Sequence, residues 1–301
     1  MVIPLNNITV DRLNDPLFTE KEVIVSIARL DKIHPEVSGN KLFKLHFFIE
    51  ECLRSDHKTI LTYGGAFSNH LAATAFFCGS LGIKCIGVVR GEEPRTLSHT
   101  LVRCRDAGMQ LHFISREAYK AAESLPEISA LEDRFGNFTR VPEGGYSPIG
   151  AAGAALIPDL LSTENATHIC TAVGTATTVA GLLMKSIPGQ EIIAVPVIKN
   201  MADIRERLAY LTGNPTLLPE IFSEYHFGGY AKYTPGLLSF MNKFYSTFGI
   251  PTDYIYTAKM MYAVTEKIKQ GYFKPGSRIV CLHTGGLQGN RSLPSGSLIF
   301  P

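Results

Sequence analysis

Two lysines near the start of one amphipathic segment could do covalent chemistry. Lys41 directly follows "SGN", and Lys44 comes three residues later in "SGNKLFKLHFFIEECLR". Apolar residues then recur at the spacing of one buried helix face: Leu45, Phe48, Ile49, Cys52 and Leu53. An amine in a partly desolvated cleft has a lowered pKa and attacks carbonyl carbons, whereas a solvated lysine has no such role. Lys41 therefore has two interpretations, a surface charge or a nucleophile.

A second segment has the composition of an anion-binding loop. In "ICTAVGTATTVAG" an apolar strand leads into a helix through Gly174, Thr175, Ala176, Thr177 and Thr178. Small residues let backbone N–H groups close around an anion, and the helix N-terminus adds partial positive charge. The spacing matches neither the P-loop nor the dinucleotide fingerprint. The segment predicts either a phosphate-binding loop or a plain turn with a threonine N-cap.

Three more segments carry polar residues at a strand end or a helix start. In "LTYGGAFSNH", Ser68 and Asn69 open a helix, where they are either ordinary N-caps or groups that hold a substrate carboxylate and a phenolic oxygen. In "RIVCLHTGG", we interpret His283 as structural. Tyr256 and Thr257 in "TDYIYTAKMM" precede a helix, which is weak evidence by itself because tyrosines often lie at the edge of a core.

These segments are positioned by alternating strands and helices. Predicted strands cover residues 22–30, 58–65, 84–91, 109–115, 167–173, 191–198 and 277–286. Predicted helices cover residues 42–53, 69–82, 96–108, 175–187, 201–213, 234–249 and 258–271. Alternation of this kind indicates an α/β fold with parallel sheets flanked by helices, in which ligands bind beyond the carboxyl ends of strands.

Composition excludes several function classes. The 301 residues carry a net charge of +2, with 45% hydrophobic and 19% charged residues, so no basic field indicates nucleic acid or an anionic membrane. We expect no signal peptide and no membrane span, since no uncharged run approaches roughly 18 apolar residues. The six cysteines lack C-x-x-C spacing, which favours buried reduced thiols in a cytoplasmic protein and argues against zinc.

A phosphate-binding loop and a Schiff-base lysine on an α/β frame together point to pyridoxal phosphate. The motifs "SGNKLFKL", "YGGAFSNH", "EGGYSPIGAAG", "AVGTATTVAG", "DYIYTAK" and "HTGG" occur in an order that resembles the 1-aminocyclopropane-1-carboxylate (ACC) deaminase / D-cysteine desulfhydrase family. The resemblance spans most of the chain. It implies the tryptophan-synthase-β-like fold, called fold type II, with two lobes that each hold a mainly parallel sheet. We expect a smaller inserted lobe at 44–155 and a larger cofactor-binding lobe at 1–43 and 156–301.

The resemblance also implies a role for individual residues. Lys41 would bind the cofactor covalently and act in catalysis with Ser68 and Tyr256. Cofactor contacts would come from Lys44, Asn69, Gly174, Thr175, Ala176, Thr177, Thr178 and Thr284. Asn69 would bond the 3′-oxygen, Lys44 and the glycine–threonine loop would lie at the phosphate, and Thr284 would face the pyridine nitrogen. The substrate would contact Ser68, Asn69, His70 and Tyr230, with Tyr233 as an alternative to Tyr230.

Two positions bear on the substrate. Members similar to ACC deaminases tend to carry Glu and Leu where this chain has Thr257 and Thr284, so the resemblance favours α,β-elimination from D-cysteine, giving pyruvate, ammonia and sulfide. ACC deaminase is the alternative within the family. Phe67, at a position where Gln is common, also departs from the family pattern. Racemase or β-replacement activity, cofactor binding without turnover, and binding of another phosphate ligand remain open.

We expect a cytoplasmic homodimer that acts on a small amino acid, without nucleic acid, membrane or metal.

Overall fold

A computed structural model of the chain describes residues 8–33, 39–161 and 163–300. Ser38 of the "SGNK" motif lies outside the described residues. Ten strands occur in this part of the chain: β1 (Val10–Leu13), β2 (Ile24–Arg29), β3 (Thr59–Gly65), β4 (Lys84–Arg90), β5 (Met109–Ile114), β6 (Thr139–Val141), β7 (His168–Val173), β8 (Glu191–Pro196), β9 (Glu220–Ile221) and β10 (Arg278–His283).

Eleven α-helices lie in the same ranges. They are α1 (Pro16–Glu20), α2 (Asn40–Arg54), α3 (Asn69–Ser80), α4 (His99–Asp106), α5 (Leu125–Phe135), α6 (Pro148–Ala154), α7 (Leu156–Leu161), α8 (Thr177–Lys185), α9 (Ile204–Thr212), α10 (Pro235–Phe248) and α11 (Thr257–Lys269). Every strand and helix expected from the sequence is present, with ends that differ by a few residues.

The strands form two sheets. One has the order β5-β4-β3-β6 and is wholly parallel. The other has the order β1-β2-β10-β7-β8-β9, and every pair in it is parallel except β1 with β2. Parallel strands covered on both faces consist of nearly continuous apolar residues, as β7 and β8 do. The predicted α/β class with parallel sheets flanked by helices is confirmed.

The chain divides into two compact units. The smaller is built on Lys41–Gly153 and contains the four-stranded sheet. The larger is built on Pro4–Asn40 and Ala154–Pro301 and contains the six-stranded sheet. The core of the larger unit packs β2, β7, β8 and β10 against α11, whose buried side chains include Met260, Met261 and Val264. Each unit thus buries one sheet under its own helices.

One helix boundary needs correction, and three further sequence features are described by the structure. The helix expected from residue 96 begins at His99, because the Ser98 hydroxyl accepts the N–H of Leu101 and caps it there. The glycine-rich "GYSPIGAAG" segment contains helix α6. All six cysteines lie among the described residues, where they are buried and unpaired. Within the described ranges, no helix combines the length and the apolar composition needed to cross a bilayer.

Candidate functional site

The residue before Lys41 is held at two points of the larger unit. Gly39 has φ +86°, and a Cβ added there would lie 2.0 Å from the carbonyl oxygen of Thr284, so only glycine fits. The backbone N–H of Asn40 donates to the same carbonyl at 3.4 Å. The Asn40 side-chain amide donates to the Thr178 hydroxyl at 2.7 Å. Asn40 therefore ties the start of α2 to the end of β10 and to the start of α8.

The two lysines of α2 belong to the smaller unit. Lys41 is half-buried, and Lys44 is only 4% exposed. The Lys44 ammonium donates to the carbonyl of Gly144 at 3.3 Å. Burial holds the pKa of Lys44 well below its usual value, and the positive charge of Lys41 lowers it further. An anion placed near both amines would favour their charged forms, so this pair has the electrostatics of an anion site.

The start of α8 has the geometry that the glycine–threonine segment predicts. Ala176 adopts a left-handed conformation at φ +66°, an uncommon one for a residue other than glycine. The N-cap residue Ala176 makes no side-chain hydrogen bond to this helix, and the Thr175 and Thr177 hydroxyls bond each other at 2.9 Å. Consecutive N–H groups around a left-handed residue form a concave anion-binding nest, to which the helix dipole adds. The segment has a geometry that suits a phosphate, and its predicted role stays a prediction.

The start of α3 is closed differently. The Ser68 hydroxyl oxygen accepts the N–H of Leu71 at 3.2 Å and so acts as the N-cap. Because a hydroxyl that accepts one hydrogen bond still carries its own proton, Ser68 remains able to donate to a ligand. Asn69 is the first residue of the helix and is half-buried. These positions are compatible with the predicted roles of Ser68 and Asn69, which stay predictions.

His70 turns into the core of the smaller unit. It is 3% exposed, and its Nε2 lies 2.8 Å from the Thr62 hydroxyl. That hydroxyl donates to the carbonyl of Val141, so Nε2 carries the hydrogen and Nδ1 is the acceptor. Burial lowers the pKa of His70 to about 3, helped by the charges of Lys41 and Lys44. His70 is therefore neutral at pH 7, and its predicted contact with substrate stays a prediction.

A buried carboxylate positions Tyr256. Asp253 is fully buried, and it accepts the backbone N–H groups of Tyr256 and Thr257, each at 2.8 Å, and that of Ile255 at 3.0 Å. Burial raises the pKa of Asp253, and the backbone N–H groups act against that rise. A Cβ added to Gly174 would lie 3.3 Å from the Tyr256 ring, so the ring contacts the loop of residues 174–178. An aspartate just before a predicted helix start was the signal that could have identified Asp253.

The two candidate tyrosines have different neighbours. Tyr230 meets Tyr256 in an edge-to-face pair with ring centroids 6.1 Å apart. Tyr233 makes a similar pair with Tyr254 at 5.4 Å. Tyr230 thus contacts Tyr256, which lies against Gly174, and Tyr233 contacts Tyr254.

The end of β10 is held rigidly. Nε2 of the fully buried His283 lies 2.7 Å from the carbonyl oxygen of Pro251, and its Nδ1 accepts the N–H of Gly285 at 3.2 Å. Both ring nitrogens of His283 are thus engaged by backbone, which agrees with a structural role. Thr284, between these two residues, is 7% exposed, and its carbonyl is the one that anchors Asn40.

Comparison with known proteins identifies the family. The model of the family described as "Pyridoxal-phosphate dependent enzyme" matches residues 27–285. The chain belongs to this family. Its cofactor is pyridoxal phosphate, and it is an enzyme of fold type II. The matched range includes every residue that the sequence predicts at the site.

Relatives whose names state an activity match most of the chain. A protein of Pyrococcus horikoshii with the provisional name 1-aminocyclopropane-1-carboxylate deaminase is 30% identical over 88% of this chain and 85% of its own. The D-cysteine desulfhydrase of Salmonella choleraesuis is 27% identical over 91% of this chain and 89% of its own. A crystal structure described as an ACC deaminase homologue superimposes with a TM-score of 0.79 at 25% identity, covering 96% of this chain and 92% of the other.

The residues of each unit fit the cofactor. The loop from Gly174 to Thr178 offers an uncapped helix start with a left-handed residue, which suits a phosphate. The smaller unit offers two amines whose mutual repulsion an anion would relieve. The predicted family and cofactor are therefore confirmed, while the individual site residues stay predictions.

Proposed function

We propose that this enzyme cleaves D-cysteine by α,β-elimination, with water completing the conversion to pyruvate, ammonia and hydrogen sulfide. The observation that carries the proposal is the residue at 284. It is a nearly buried threonine at the end of β10, and its carbonyl holds the residue that precedes Lys41. Its placement supports the expectation that the Thr284 hydroxyl faces the pyridine nitrogen.

A hydroxyl and a carboxylate near the pyridine nitrogen have different chemical consequences, and the carboxylate of the ACC deaminase pattern is the Glu at position 257, where this chain has Thr257. A carboxylate would keep a pyridine nitrogen protonated, and a threonine hydroxyl does not. The pyridine ring then withdraws electrons from the substrate less strongly. Expulsion of a good leaving group such as sulfide remains feasible under weaker demand, whereas opening a cyclopropane ring asks more of the site.

Nine residues would hold the cofactor. They are Lys41, Lys44, Asn69, Gly174, Thr175, Ala176, Thr177, Thr178 and Thr284. When bound, pyridoxal phosphate withdraws electrons from the α-carbon of an amino acid. Lys41 would attach the cofactor through its Nζ, and Lys44 together with the start of α8 would neutralise the phosphate charge.

Three side chains would handle the substrate protons and charge. The Nζ of Lys41 would remove the α-proton of the amino acid. The Ser68 hydroxyl, which keeps its own proton while it caps α3, would donate to the substrate carboxylate or take part in proton transfer. The Tyr256 hydroxyl, placed by Asp253, would deliver a proton near the leaving sulfur. Asn69, His70 and Tyr230 would complete the substrate contacts.

A substrate scan tests the proposal. Purified enzyme is incubated with D-cysteine, L-cysteine, ACC and a panel of other D- and L-amino acids, and sulfide, pyruvate, 2-oxobutyrate and ammonia are measured. We expect sulfide and pyruvate in equal amounts from D-cysteine, and none with Lys41→Ala. A wild-type enzyme that releases no sulfide from D-cysteine would overturn the assignment.

The alternative is ACC deaminase activity, which the name of the Pyrococcus horikoshii relative favours. It predicts release of 2-oxobutyrate from ACC in the same scan. Cofactor binding without turnover would instead leave the visible spectrum unchanged with every amino acid. Replacing Thr257 by Glu and Thr284 by Leu sharpens the contrast, because sulfide release should fall in the double variant while the protein keeps its cofactor.

We also propose a homodimer that works in the cytoplasm, with a smaller lobe at 44–155 and a larger lobe at 1–43 and 156–301. Family membership and the small amino-acid substrate support this assignment. Light scattering on the purified protein measures the mass against the 33.0 kDa of one chain. Imaging of a tagged full-length chain tests the compartment.

A further inference from the structure

One lysine of the larger unit is buried where the proposed chemistry does not use it. Lys259, in α11, is 0% exposed. Its ammonium donates to the carbonyl of His226 at 2.9 Å and to that of Gly229 at 2.8 Å. Burial lowers the pKa of Lys259 to about 8, and Asp253, which forms no ion pair with it among the described contacts, acts against that shift. A buried lysine is costly unless its charge is met, so the two carbonyl bonds are the compensation.

The segment that these bonds hold has unusual backbone geometry. Left-handed φ values occur at Phe227 (+51°), Gly228 (+93°), Gly229 (+118°) and Ala231 (+53°). Positive φ at a bulky residue such as phenylalanine is strained and persists only where the surrounding structure imposes it. The Lys259 ammonium joins both ends of this turn from inside the unit. The turn is therefore held by α11 as well as by its own sequence.

The held segment ends at Tyr230, which returns to the same helix. Tyr230 follows Gly229 and packs edge-to-face against Tyr256, the residue that precedes α11. Lys259 lies three residues after Tyr256, about one helical turn away. The Lys259 ammonium binds the Gly229 carbonyl, and the next residue, Tyr230, packs against Tyr256 at the start of the helix that carries Lys259. Displacing Lys259 should therefore displace Tyr230.

We infer that Lys259 is a positioning residue: its buried ammonium clamps the turn 226–229 so that Tyr230 stays against Tyr256 at the substrate site. This inference rests on the proposed function for the role of Tyr230, but the clamp itself does not depend on it. The amine is used for its two hydrogen bonds to carbonyl oxygens, since a methionine would fill similar space without making them.

Two variants test the clamp and one controls for the substitution. Lys259→Met removes both bonds while keeping the apolar stem. Gly229→Ala strains the turn through its backbone, at φ +118°, without leaving a hole in the core, and the added Cβ would lie 3.5 Å from the Cβ of Lys199. Lys269→Met is the control, because Lys269 lies in the same helix and its ammonium pairs with Glu266 at the surface.

Amide hydrogen exchange of the holoenzyme is the first measurement. In Lys259→Met and in Gly229→Ala we expect exchange of residues 226–233 to become at least ten times faster, with β10 unchanged. Lys269→Met should match the wild type. Unchanged exchange at 226–233 in both variants overturns the clamp, as does equal acceleration throughout the larger unit, because that pattern means general destabilisation.

A double-mutant cycle with D-cysteine is the second measurement. If Lys259 acts through Tyr230, Lys259→Met should lower kcat/KM at least tenfold in the wild-type background and less than twofold in Tyr230→Phe. Equal losses in both backgrounds overturn the link to Tyr230. If the wild type itself releases no sulfide, the proposed function has failed, and hydrogen exchange alone then decides whether the clamp exists.

Discussion

The starts of α3 and α8 look alike in sequence and differ in structure. Each follows a buried strand and a glycine-containing turn with hydroxyl residues. At α3 the Ser68 hydroxyl accepts a backbone N–H, so part of the helix end is already satisfied. At α8 the N-cap residue is a left-handed alanine, which has no polar side chain to cap the helix. The start of α3 is thus capped and keeps a hydroxyl proton that it can donate, whereas the start of α8 has the geometry of an anion site.

The difference teaches how two similar motifs divide the chemistry. Uncapped N–H groups gain most from a dianion that stays bound, which is the case for a cofactor phosphate. A capped start with a free hydroxyl proton suits weaker and transient contacts with a substrate carboxylate. Substitutions at α8 should therefore change cofactor affinity, and substitutions at α3 should change turnover.

The largest effect on cofactor affinity is expected at Gly174. An added methyl group would lie 3.3 Å from the Tyr256 ring, which Asp253 holds in place through backbone bonds. Gly174→Ala should therefore displace either the loop or the tyrosine and weaken pyridoxal phosphate binding about tenfold or more. Titration of the apoenzyme with cofactor, followed by visible absorbance, measures this.

The matched control for that change is Gly65→Ala at the other turn. A methyl group there would come 3.2 Å from the Arg90 guanidinium, the end of a flexible side chain that can move aside. Cofactor affinity should stay within about twofold of the wild type. Equal losses in the two variants would contradict the division between α8 and α3.

An effect on turnover, and not on cofactor affinity, is expected at Ser68. Removal of a hydroxyl that moves or donates a proton costs on the order of 100-fold in rate. Ser68→Ala should lower kcat/KM for D-cysteine by about that factor and leave cofactor affinity unchanged. Loss of the N-cap should also cost about 1 kcal/mol in the free energy of unfolding.

Two controls separate capping from chemistry. Ser68→Thr keeps a hydroxyl and should retain most of the activity. The Asp15 carboxylate caps α1 by accepting the N–H of Leu17 at 2.9 Å. Asp15→Ala should therefore lower the free energy of unfolding without lowering kcat/KM. A Ser68→Ala enzyme with normal turnover would remove Ser68 from the catalytic set.

The smallest effect concerns acid stability through His70. Burial lowers its pKa to about 3 in the folded chain, against 6.5 for an ordinary histidine. Between these two values the unfolded chain holds the extra proton, so this residue makes stability fall as pH falls, by up to about 1.4 kcal/mol per pH unit. His70→Gln should have a shallower dependence of the urea midpoint on pH over that window. The same change at the partly exposed His99 provides the control, and equal slopes in all three proteins would contradict the burial argument.

Periodicity was sufficient to predict most of the fold. Local sequence alone reveals the apolar runs of β3, β4, β7 and β8 and the amphipathic pattern of α2. Elements missed in the sequence are short or mostly polar. β1 and β9 are edge strands with exposed positions, and α6 lies within a glycine-rich stretch.

The site was predictable only in part. The residue types at Lys41 and at the start of α8 indicate their chemistry directly. The bond from Asn40 to Thr178 joins residues 138 positions apart, and no local pattern encodes it. Alanine seldom adopts the left-handed region, so the conformation of Ala176 could not be foreseen from its type. Lys259 was missed because a lysine in an amphipathic helix is usually exposed.

The most direct test of the central claim is to locate the residue that carries the cofactor. Holoenzyme is reduced with borohydride, digested, and analysed by mass spectrometry for a phosphopyridoxyl group. The account predicts one modified site, Lys41, and loss of the visible absorbance band in Lys41→Ala. A phosphopyridoxyl group on Lys44, on Lys259 or on any other lysine, with residue 41 unmodified, would contradict it.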